Sequence, residues 1–474
     1  MKKRILSLAI VLSVIISVFS GFAAGASAAA SWYYTTAEKT AAAAIVENAR
    51  NFKTETKITV TLPEESLSKV MELVFNDNPE LFHISTTYTY SKAENISTGQ
   101  TQILSVHLRY TMSKEEYSAA LNEVNQWTEK VLSLTNDDFS DREYALFFHD
   151  YICANFEYDL DFANRTVYDF IKDGKGVCLA YTHAYSILLK KAGIDVSFAV
   201  SREMNHIWNV VKIDGEWYHV DATWDDPVGQ SPGMVRHIYF LKSDTAISAG
   251  EESHYGWTSP YRATATDYDS SFISGTRSPF AFIGEKWYYI TDGDLYTTDD
   301  PFTAGILHTD LNLRWNVWDS TSFYTSDYSA LIAVDGKLYL NSDKSVICID
   351  PASKASATVY TYSGKDGYIY GFTADMGDGR ISGADFSTGK IVVSVGTAPS
   401  KIVRTLIIDL SGMTVYGDAN GDNKVSISDA AAMLKYIAKW DVAINIINAD
   451  MDSNSKVNIS DVSIVLKKIA GWNI

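Results

Sequence analysis

Cys178, His206 and Asp221 occur in an order that suits covalent attack on an amide: a nucleophile, a base, and an acid that orients the base. Cys178 opens an amphipathic stretch with helical spacing, so we expect it at the start of a helix. There the unpaired amides and the helix dipole favour the thiolate, which is the reactive form of cysteine. The backbone N–H of Cys178 is a candidate donor for an oxyanion hole, with Tyr158 or Asn155 as the second donor.

A predicted hairpin would bring the histidine and the aspartate together. Asp214-Gly215 lies between two apolar runs, which is the pattern of a two-residue turn between antiparallel strands. The register set by this turn places His206 opposite Thr223 and Trp208 opposite Asp221, with all four side chains on one face. Asp221 is then a diagonal neighbour of His206, about 7 Å away, where its carboxylate can accept from the imidazole.

Each residue has a simpler interpretation when it is considered alone. Cys178 could be a small buried apolar residue and His206 a core histidine. The three together, in these contexts, favour a catalytic set. The other cysteines are expected in apolar elements: Cys153 in a helix that starts at the capping box Ser140-x-x-Glu143, and Cys348 in a strand. The sequence therefore predicts no disulfide framework.

The sequence around these residues resembles the transglutaminase-like core of bacterial secreted proteins. The similarity extends over roughly residues 60 to 245. It is carried by Asn78–Phe82, Phe148–Ile152, Tyr158-Asp159, Gly176–Cys178, His206–Asn209, Val220–Asp226 and Tyr239–Asp244. The resemblance implies a papain-like α+β fold in which Cys178, His206 and Asp221 match the catalytic triad one by one. It leaves the reaction open, because the same core hosts amide cross-linking, peptide hydrolysis, deglycosylation and inactive proteins.

A second motif is duplicated at the C-terminus. Two twelve-residue loops begin at Asp418 and Asp450, with oxygen-bearing side chains at positions 1, 3, 5, 9 and 12. This is the ligand spacing of an EF-hand calcium loop, in which position 7 supplies a backbone carbonyl. The predicted ligands are Asp418, Asn420, Asp422, Lys424 and Asp429 in the first loop, and Asp450, Asp452, Asn454, Lys456 and Asp461 in the second. An acidic surface without metal is the simpler alternative, which two in-phase copies disfavour.

The loops depart from the EF-hand pattern in two ways. Position 12 is Asp rather than Glu, and position 6 is Asn423 or Ser455 rather than Gly. Each loop leads into one apolar helix, and no helix is predicted before it. With these features, residues 416–474 resemble a type I dockerin. The resemblance implies two Ca²⁺ ions and a cohesin module of a scaffoldin as partner, the arrangement of a cellulosome.

The cohesin is expected to contact the start of the helix that follows a loop. The candidate contact residues are Ile427 and Ser428, or Ile459 and Ser460. The same Ile-Ser pair occurs in both copies, so a pseudo-twofold rotation exchanges the two halves. We therefore predict that either half can face the cohesin.

The N-terminus and the net charge limit the location and the partners. Residues 1–28 combine Lys2-Lys3-Arg4, an apolar stretch and Ala26-Ser27-Ala28, the pattern of a cleaved secretory signal peptide. The protein is expected to be secreted, extracellular or in a cell-surface cellulosome, with no membrane segment after cleavage. A formal net charge of -18 argues against nucleic acid or an anionic membrane surface as partner.

The rest of the chain divides by composition. Residues 29–265 are predicted to form an α+β transglutaminase-like domain, with an N-terminal part at 29–140 and a catalytic core at 141–265. Residues 266–412 are predicted to form an all-β domain, and residues 413–474 the small α-helical dockerin.

Repeated hairpin signals characterise the predicted β domain. Asp-Gly-x-Leu/Ile-Tyr occurs at Asp292, Asp335 and Asp366. The region is too short for a propeller of about four to eight four-stranded blades, so we predict a small sandwich or an open β domain. Its aromatic residues are expected to be cross-strand core, with a sugar- or peptide-binding platform as the alternative. They are Trp287, Tyr288, Tyr289, Trp315 and Trp318.

These patterns predict a secreted cysteine enzyme that acts on amide bonds of proteins or peptides, either a peptidase or a transglutaminase-type acyl transferase. Hydrolysis is slightly favoured, because water is the default acceptor unless a site excludes it. Two alternatives remain open. One is a non-catalytic binding or structural component of a cellulosome. The other is an accessory carbohydrate-active protein in polysaccharide degradation, although the sequence offers no identifiable carboxylate pair for glycoside hydrolysis.

Overall fold

A computed structural model describes most of the chain from residue 34 onward. The described residues are 34–474 except 97, 230–231, 251, 325–326, 375–389, 399, 411–415, 422–423, 441, 443, 453–455 and 473–474. The predicted signal peptide lies outside them, as do Asp422 and Asn454 of the predicted calcium loops. None of the described helices is long and apolar enough to cross a membrane.

Helices and strands alternate in the first half, strands dominate the third quarter, and short helices close the chain. The helices are α1 (Thr36–Arg50), α2 (Leu67–Asn76), α3 (Lys114–Leu132), α4 (Asp141–Asn155), α5 (Val167–Asp173), α6 (Cys178–Lys191), α7 (Ala222–Asp225), α8 (Asp244–Ile247), α9 (Ile427–Ile437), α10 (Ile446–Ala449) and α11 (Ile459–Ile469). Short 3₁₀ turns lie at Glu64–Ser66, Pro79–Leu81 and Phe272–Gly275.

The strands up to the middle of the chain are β1 (Glu55–Lys57), β2 (Thr89–Glu94), β3 (Thr101–His107), β4 (Glu157–Tyr158), β5 (Lys175–Gly176), β6 (Val196–Ser201), β7 (His206–Ile213), β8 (Glu216–Val220) and β9 (Trp257–Thr258). Those that follow are β10 (Ala281–Ile283), β11 (Lys286–Thr291), β12 (Asp294–Thr298), β13 (Ile306–Thr309), β14 (Leu331–Val334), β15 (Lys337–Asn341), β16 (Ser345–Ile349), β17 (Ser356–Thr361), β18 (Tyr368–Ala374), β19 (Lys390–Ala398) and β20 (Lys401–Asp409).

The N-terminal part packs directly against the strands of the catalytic core. α1 and α2 cover the sheet β1-β3-β2, and their shared apolar cluster also contains Phe198 and Ile207. The partly buried side chain of Cys178 packs against the same cluster. The two parts therefore share one hydrophobic core, which helps to fix the position of the cysteine.

The part predicted to be the catalytic core is an α+β arrangement, as predicted. α3, α4, α5 and α6 enclose one large apolar cluster together with the antiparallel sheet β8-β7-β6-β9. α4 starts at the predicted capping box, where the Ser140 amide donates to Glu143 at 2.9 Å. Cys153 is buried within this helix, as expected. The same cluster includes Trp287 and Tyr289 from the following β region; the predicted boundary at residue 265 stays a prediction.

The predicted hairpin forms, but its outer end does not pair. Asp214 and Gly215 have φ of 53° and 91°, and the predicted register holds from Ile213 opposite Glu216 to Asn209 opposite Val220. β8 ends at Val220, and Asp221 becomes the N-cap of α7. The pairs His206–Thr223 and Trp208–Asp221 therefore do not form in the sheet, and that part of the prediction is wrong.

The β region consists of three consecutive antiparallel sheets, β10 to β13, β14 to β17 and β18 to β20. Asp292-Gly293 and Asp335-Gly336 form the predicted two-residue turns with positive φ. The turn predicted at Asp366 is wrong: this residue lies between two sheets, and its carboxylate accepts from the Tyr362 hydroxyl.

The aromatic residues of this region are mostly core. Trp287, Tyr288, Tyr289 and Trp315 are buried, and Trp318 is half-buried with its ring against Tyr368. They therefore give no support to an exposed binding platform in the described residues.

The C-terminal helices form a small separate cluster. α9 and α11 pack through Ala430, Met433, Val462 and Val465. α10 lies directly before the second loop, where no helix was predicted, and its N-cap Asn445 accepts from the Asn448 amide at 3.1 Å.

Candidate active site

Cys178 occupies the first position of α6, as the sequence predicts. Its side chain is partly exposed, whereas Cys153 and Cys348 are buried. The backbone two residues before Cys178 packs so closely that only glycine fits. A Cβ at Gly176 would lie 2.6 Å from the Phe170 ring and 2.7 Å from Ala180 Cβ. The start of a helix carries the positive end of the helix dipole, so the backbone around the thiol supplies positive potential.

His206 begins β7 and faces the cysteine from the sheet. Its Nε2 donates to Asp221 Oδ2 at 2.6 Å, which leaves Nδ1 as the nitrogen for the thiol. The ring stacks between Trp208 and Trp224, with centroids 5.5 Å away on each side. Burial lowers the pKa of His206, but the charge of Asp221 and hydrogen bonds with Asp221 and Cys178 outweigh it and raise the pKa to about 10. The site therefore favours an imidazolium next to the sulfur.

Asp221 is fixed by the start of α7. Its Oδ1 accepts from the backbone N–H groups of Thr223 and Trp224 at 3.0 and 3.2 Å. Burial raises the pKa of this carboxyl, but the charge and hydrogen bond of His206 and a hydrogen bond from His254 hold it well below its usual range. The structure thus brings the three predicted residues together although the strand pairing expected for them is absent.

The carboxylates of the C-terminal loops suit a calcium ion. Asp418, Asp429, Asp450 and Asp461 are buried, and burying carboxylates is costly unless positive charge compensates. In the second loop, oxygen atoms of Asp450, Asp452 and Asp461 lie within 4.8 Å of one another. Carboxylate oxygens converging in this way are the donors that Ca²⁺ prefers.

Two parts of the chain match known families. Residues 125–222, which include Cys178, His206 and Asp221, match the transglutaminase-like superfamily, and residues 416–470 match the dockerin type I domain. The chain carries a transglutaminase-like domain and a type I dockerin domain. Both predicted resemblances are confirmed, and so is the predicted fold class of an α+β core, β-sheet regions and a dockerin.

Individual relatives of the transglutaminase-like domain are distant. The chain is 25% identical to the kyphoscoliosis peptidase of Mus musculus over 138 residues. This match covers 24% of this chain and 21% of the mouse protein. The crystal structure of a TGase is 12% identical over 36% of this chain and 50% of that chain, with a TM-score of 0.21. A candidate protease from Parabacteroides distasonis is 12% identical over 27% of this chain and 35% of that chain, with a TM-score of 0.15. This chain thus spans about a fifth of the length of the mouse relative.

A cleft of about 510 Å³ opens beside His206 in the transglutaminase-like domain. Its lining includes Tyr158, Trp224 and Asp226. Burial raises the pKa of Tyr158, as does the charge of Cys178, so this hydroxyl keeps its proton and can donate. The amide of Asn155 is instead buried and donates to the Tyr151 carbonyl at 2.8 Å.

His254 is a residue of the site that sequence reasoning missed. Its Nε2 lies 2.7 Å from Asp221 Oδ2, and its side chain is fully buried. It lies in an irregular segment between α8 and β9, with no strand or helix period that would place it near the triad. No local signal in the sequence could have found it.

Buried carboxylate and histidine side chains form a hydrogen-bonded cluster that supports α7. Asp225, at the end of α7, accepts from His149 at 3.2 Å and from the backbone of Ile238 at 2.8 Å. His149 also donates to Asp150 at 2.9 Å, and His237 donates to the same Asp150 oxygen at 2.8 Å. The His149-Asp150 pair, noted in the sequence only for its family resemblance, therefore anchors the helix that begins at the N-cap Asp221.

The dockerin presents matching apolar side chains at equivalent positions of its two helices. Ile427 and Ile459 are 67% and 64% exposed, and Leu434 and Leu466, one heptad later, are 44% and 40% exposed. Ser428 and Ser460 are exposed beside the isoleucines. Each helix thus carries an equivalent exposed apolar stripe.

Proposed function

We propose that this protein is a cysteine enzyme that acts on amide carbonyls of proteins or peptides through Cys178, His206 and Asp221. Two hydrogen bonds carry the proposal. One joins the Cys178 and His206 side chains, and the other joins His206 Nε2 to Asp221 at 2.6 Å. A cysteine sulfur beside an imidazolium, at the start of a helix, is the arrangement that nucleophilic attack on a carbonyl needs.

The first half of the reaction forms a thioester. The Cys178 thiolate attacks the carbonyl carbon, and the C–N bond breaks as the leaving amine takes the proton of His206 Nδ1. Asp221 holds His206 in the tautomer that directs Nδ1 at the substrate. The product is an acyl-enzyme, a free amine or ammonia, and a neutral imidazole.

The oxyanion of the tetrahedral intermediate would lie between two donors. One is the backbone N–H of Cys178 at the positive end of α6. Of the two side-chain candidates, Tyr158 is supported by its place in the cleft and its interaction with Cys178. Asn155 is disfavoured because its amide donates to the Tyr151 carbonyl.

The acceptor of the acyl group decides the type of enzyme. Water gives a peptidase, and a lysine amine gives a cross-linking transglutaminase; in both cases His206 takes the acceptor's proton as the thiolate leaves. We favour hydrolysis, because water is the default acceptor unless a site excludes it. The test is to incubate a peptide library with the protein, with and without a primary amine. Hydrolysed peptides in both samples support the peptidase. Amine-coupled peptides support acyl transfer, and unchanged peptides in both samples would contradict an amide-directed enzyme.

The dockerin indicates an extracellular, cellulosome-type component. We further propose that two Ca²⁺ ions order its loops through the predicted ligand sets, including Asp422, Lys424, Asn454 and Lys456. A cohesin then binds either exposed stripe through Ile427 and Ser428 or through Ile459 and Ser460. Residues 1–28 would direct secretion as a signal peptide. The domain limits 29–265, 266–412 and 413–474 belong to the same proposal.

A further inference from the structure

Two buried histidines share one oxygen of Asp221. His254 Nε2 lies 2.7 Å from Asp221 Oδ2, and His206 Nε2 lies 2.6 Å from the same atom. An ionised carboxylate only accepts hydrogen bonds, so each imidazole donates through Nε2. The other oxygen, Oδ1, accepts two backbone N–H groups at the start of α7. The four acceptor positions of the carboxylate are therefore filled, and His254 fills one of them.

The side chain of His254 donates to Asp221 and has no other hydrogen-bond partner in the part of the chain that the structure describes. Its side chain is fully buried, and its Nδ1 has no hydrogen-bond partner among those residues. The ring is enclosed by Trp224 at 4.3 Å, Trp208 at 4.6 Å and Tyr239 at 5.0 Å between centroids. An unpaired buried nitrogen costs free energy, so an apolar side chain would fill this space better if packing were its only task.

We propose that His254 is a positioning residue of the active site, whose Nε2–H holds the Asp221 carboxylate in the orientation that keeps Oδ2 on His206. The inference rests on the proposed triad. Without this donor, Asp221 Oδ2 keeps only His206 as a hydrogen-bond donor, and the ionised form of the carboxylate is less well stabilised. Asp221 then takes up a proton at higher pH, so on acidification His206 loses its charged partner, and with it its orientation towards Cys178, at a higher pH.

The experiment is the rate at which iodoacetamide alkylates Cys178 as a function of pH in the full-length protein. Mass spectrometry of the Cys178 peptide separates this reaction from alkylation of Cys153 and Cys348. In His254→Leu we expect the acid limb of the profile to move up by about one pH unit, since a charged group loses one hydrogen bond. On that limb the rate falls about tenfold. In His254→Gln the side-chain amide can replace Nε2–H, and we expect a rate within about twofold of the unmodified protein.

Two further variants separate positioning from stability. His308→Leu removes another buried histidine, in the β region, and should leave the profile unchanged. If His254→Leu does not fold, His254→Asn takes its place, because its amide is too short to reach Oδ2; the same upward shift is expected. A folded His254→Leu or His254→Asn with an unshifted acid limb would overturn the inference, as would a His254→Gln profile shifted as far as that of His254→Leu. Unreactive Cys178 in the unmodified protein would instead overturn the triad itself.

Discussion

Cys178 and His206 come from different elements, the start of α6 and the start of β7, and interact with each other across them. Their types and order were readable from the sequence because the chemistry permits few substitutes. The contact of His254 with Asp221 could not be read from the sequence, because it joins an irregular segment to a helix N-cap through tertiary packing alone.

Removal of the nucleophile or the base should abolish activity. We expect Cys178→Ala and His206→Ala to show no acyl transfer to water or amine, with the fold retained by circular dichroism. Asp221→Asn should keep a residual rate, lower by as much as about 10⁴-fold, because it disturbs the tautomer and leaves the base in place. Full activity in Cys178→Ala would refute the assignment of the nucleophile.

The raised pKa of His206 predicts a loss of stability at alkaline pH. The group ionises at about 6.5 when unfolded and at about 10 when folded, so the folded state holds its proton more tightly. This stabilisation is complete below about pH 6.5 and is lost as the pH rises towards 10. Between pH 7 and 10 the melting temperature should therefore fall more in the unmodified protein than in His206→Gln, which does not titrate. Parallel curves for the two proteins would contradict the pKa shift.

At the scale of elements, the hairpin illustrates what local sequence decides. Asp214-Gly215 sets the turn and the register of five residue pairs, because positive φ is needed at both turn positions. The end of β8 is set elsewhere: the Asp221 backbone N–H donates to the Tyr239 carbonyl at 3.1 Å, and its side chain caps α7. Tyr239 is distant in sequence, and its contact could not be read from the local pattern, so the predicted continuation of the ladder was wrong.

The buried charges behind α7 predict a large effect of one substitution. Asp150 accepts from His149, from His237 and from the Phe280 amide at 2.7 Å, with both histidines fully buried. In Asp150→Asn we expect the free energy of unfolding to fall by about 3 kcal/mol or more, because buried His149, whose pKa is raised, loses the carboxylate that compensates its charge. Denaturant titration measures it. Asp195→Asn, which breaks an exposed pair with Lys212, is the control and should change stability by less than about 1 kcal/mol. Equal effects of the two variants would contradict the stabilising role of the Asp150 carboxylate and its buried partners.

At the scale of the whole molecule, the sequence predicted three parts: a catalytic core, a β region and a dockerin. Each part was predictable because it has its own local sequence pattern. The arrangement of the β region into three sheets was not predictable, because hairpin signals do not say which hairpins share a sheet. Asp366 shows this: its Asp-Gly pair matches the other two, yet it joins different sheets.

Calcium removal should affect only the C-terminal module. The predicted ligands all lie between Asp418 and Asp461, and metal binding is coupled to ordering of the loops that bind it. With a chelator we expect faster amide hydrogen exchange in residues 416–472 and unchanged exchange in α4, α6 and β7. Added Ca²⁺ should reverse the change, with Mg²⁺ as control. Calorimetry that detects no calcium uptake would rule out the proposed sites.

The internal symmetry of the dockerin predicts redundant cohesin binding. Charged substitutions in one half, Ile427→Asp with Ser428→Asp, should cost little affinity, because the equivalent exposed residues of the other half remain. The same applies to Ile459→Asp with Ser460→Asp, whereas all four changes together should abolish binding in a titration with a cohesin. Complete loss of binding in one two-residue variant alone would show that only that half is used.

The central claim is that Cys178 forms a covalent acyl-enzyme, and acid-quenched mass spectrometry tests it directly. The protein would be mixed with a peptide library, quenched within the first turnovers and digested. We predict an acyl adduct on the Cys178 peptide that hydroxylamine removes, as expected for a thioester. The adduct should be absent from Cys178→Ala and much reduced in His206→Ala. Substrate turnover without an adduct on Cys178, or turnover undiminished in Cys178→Ala, would contradict the account.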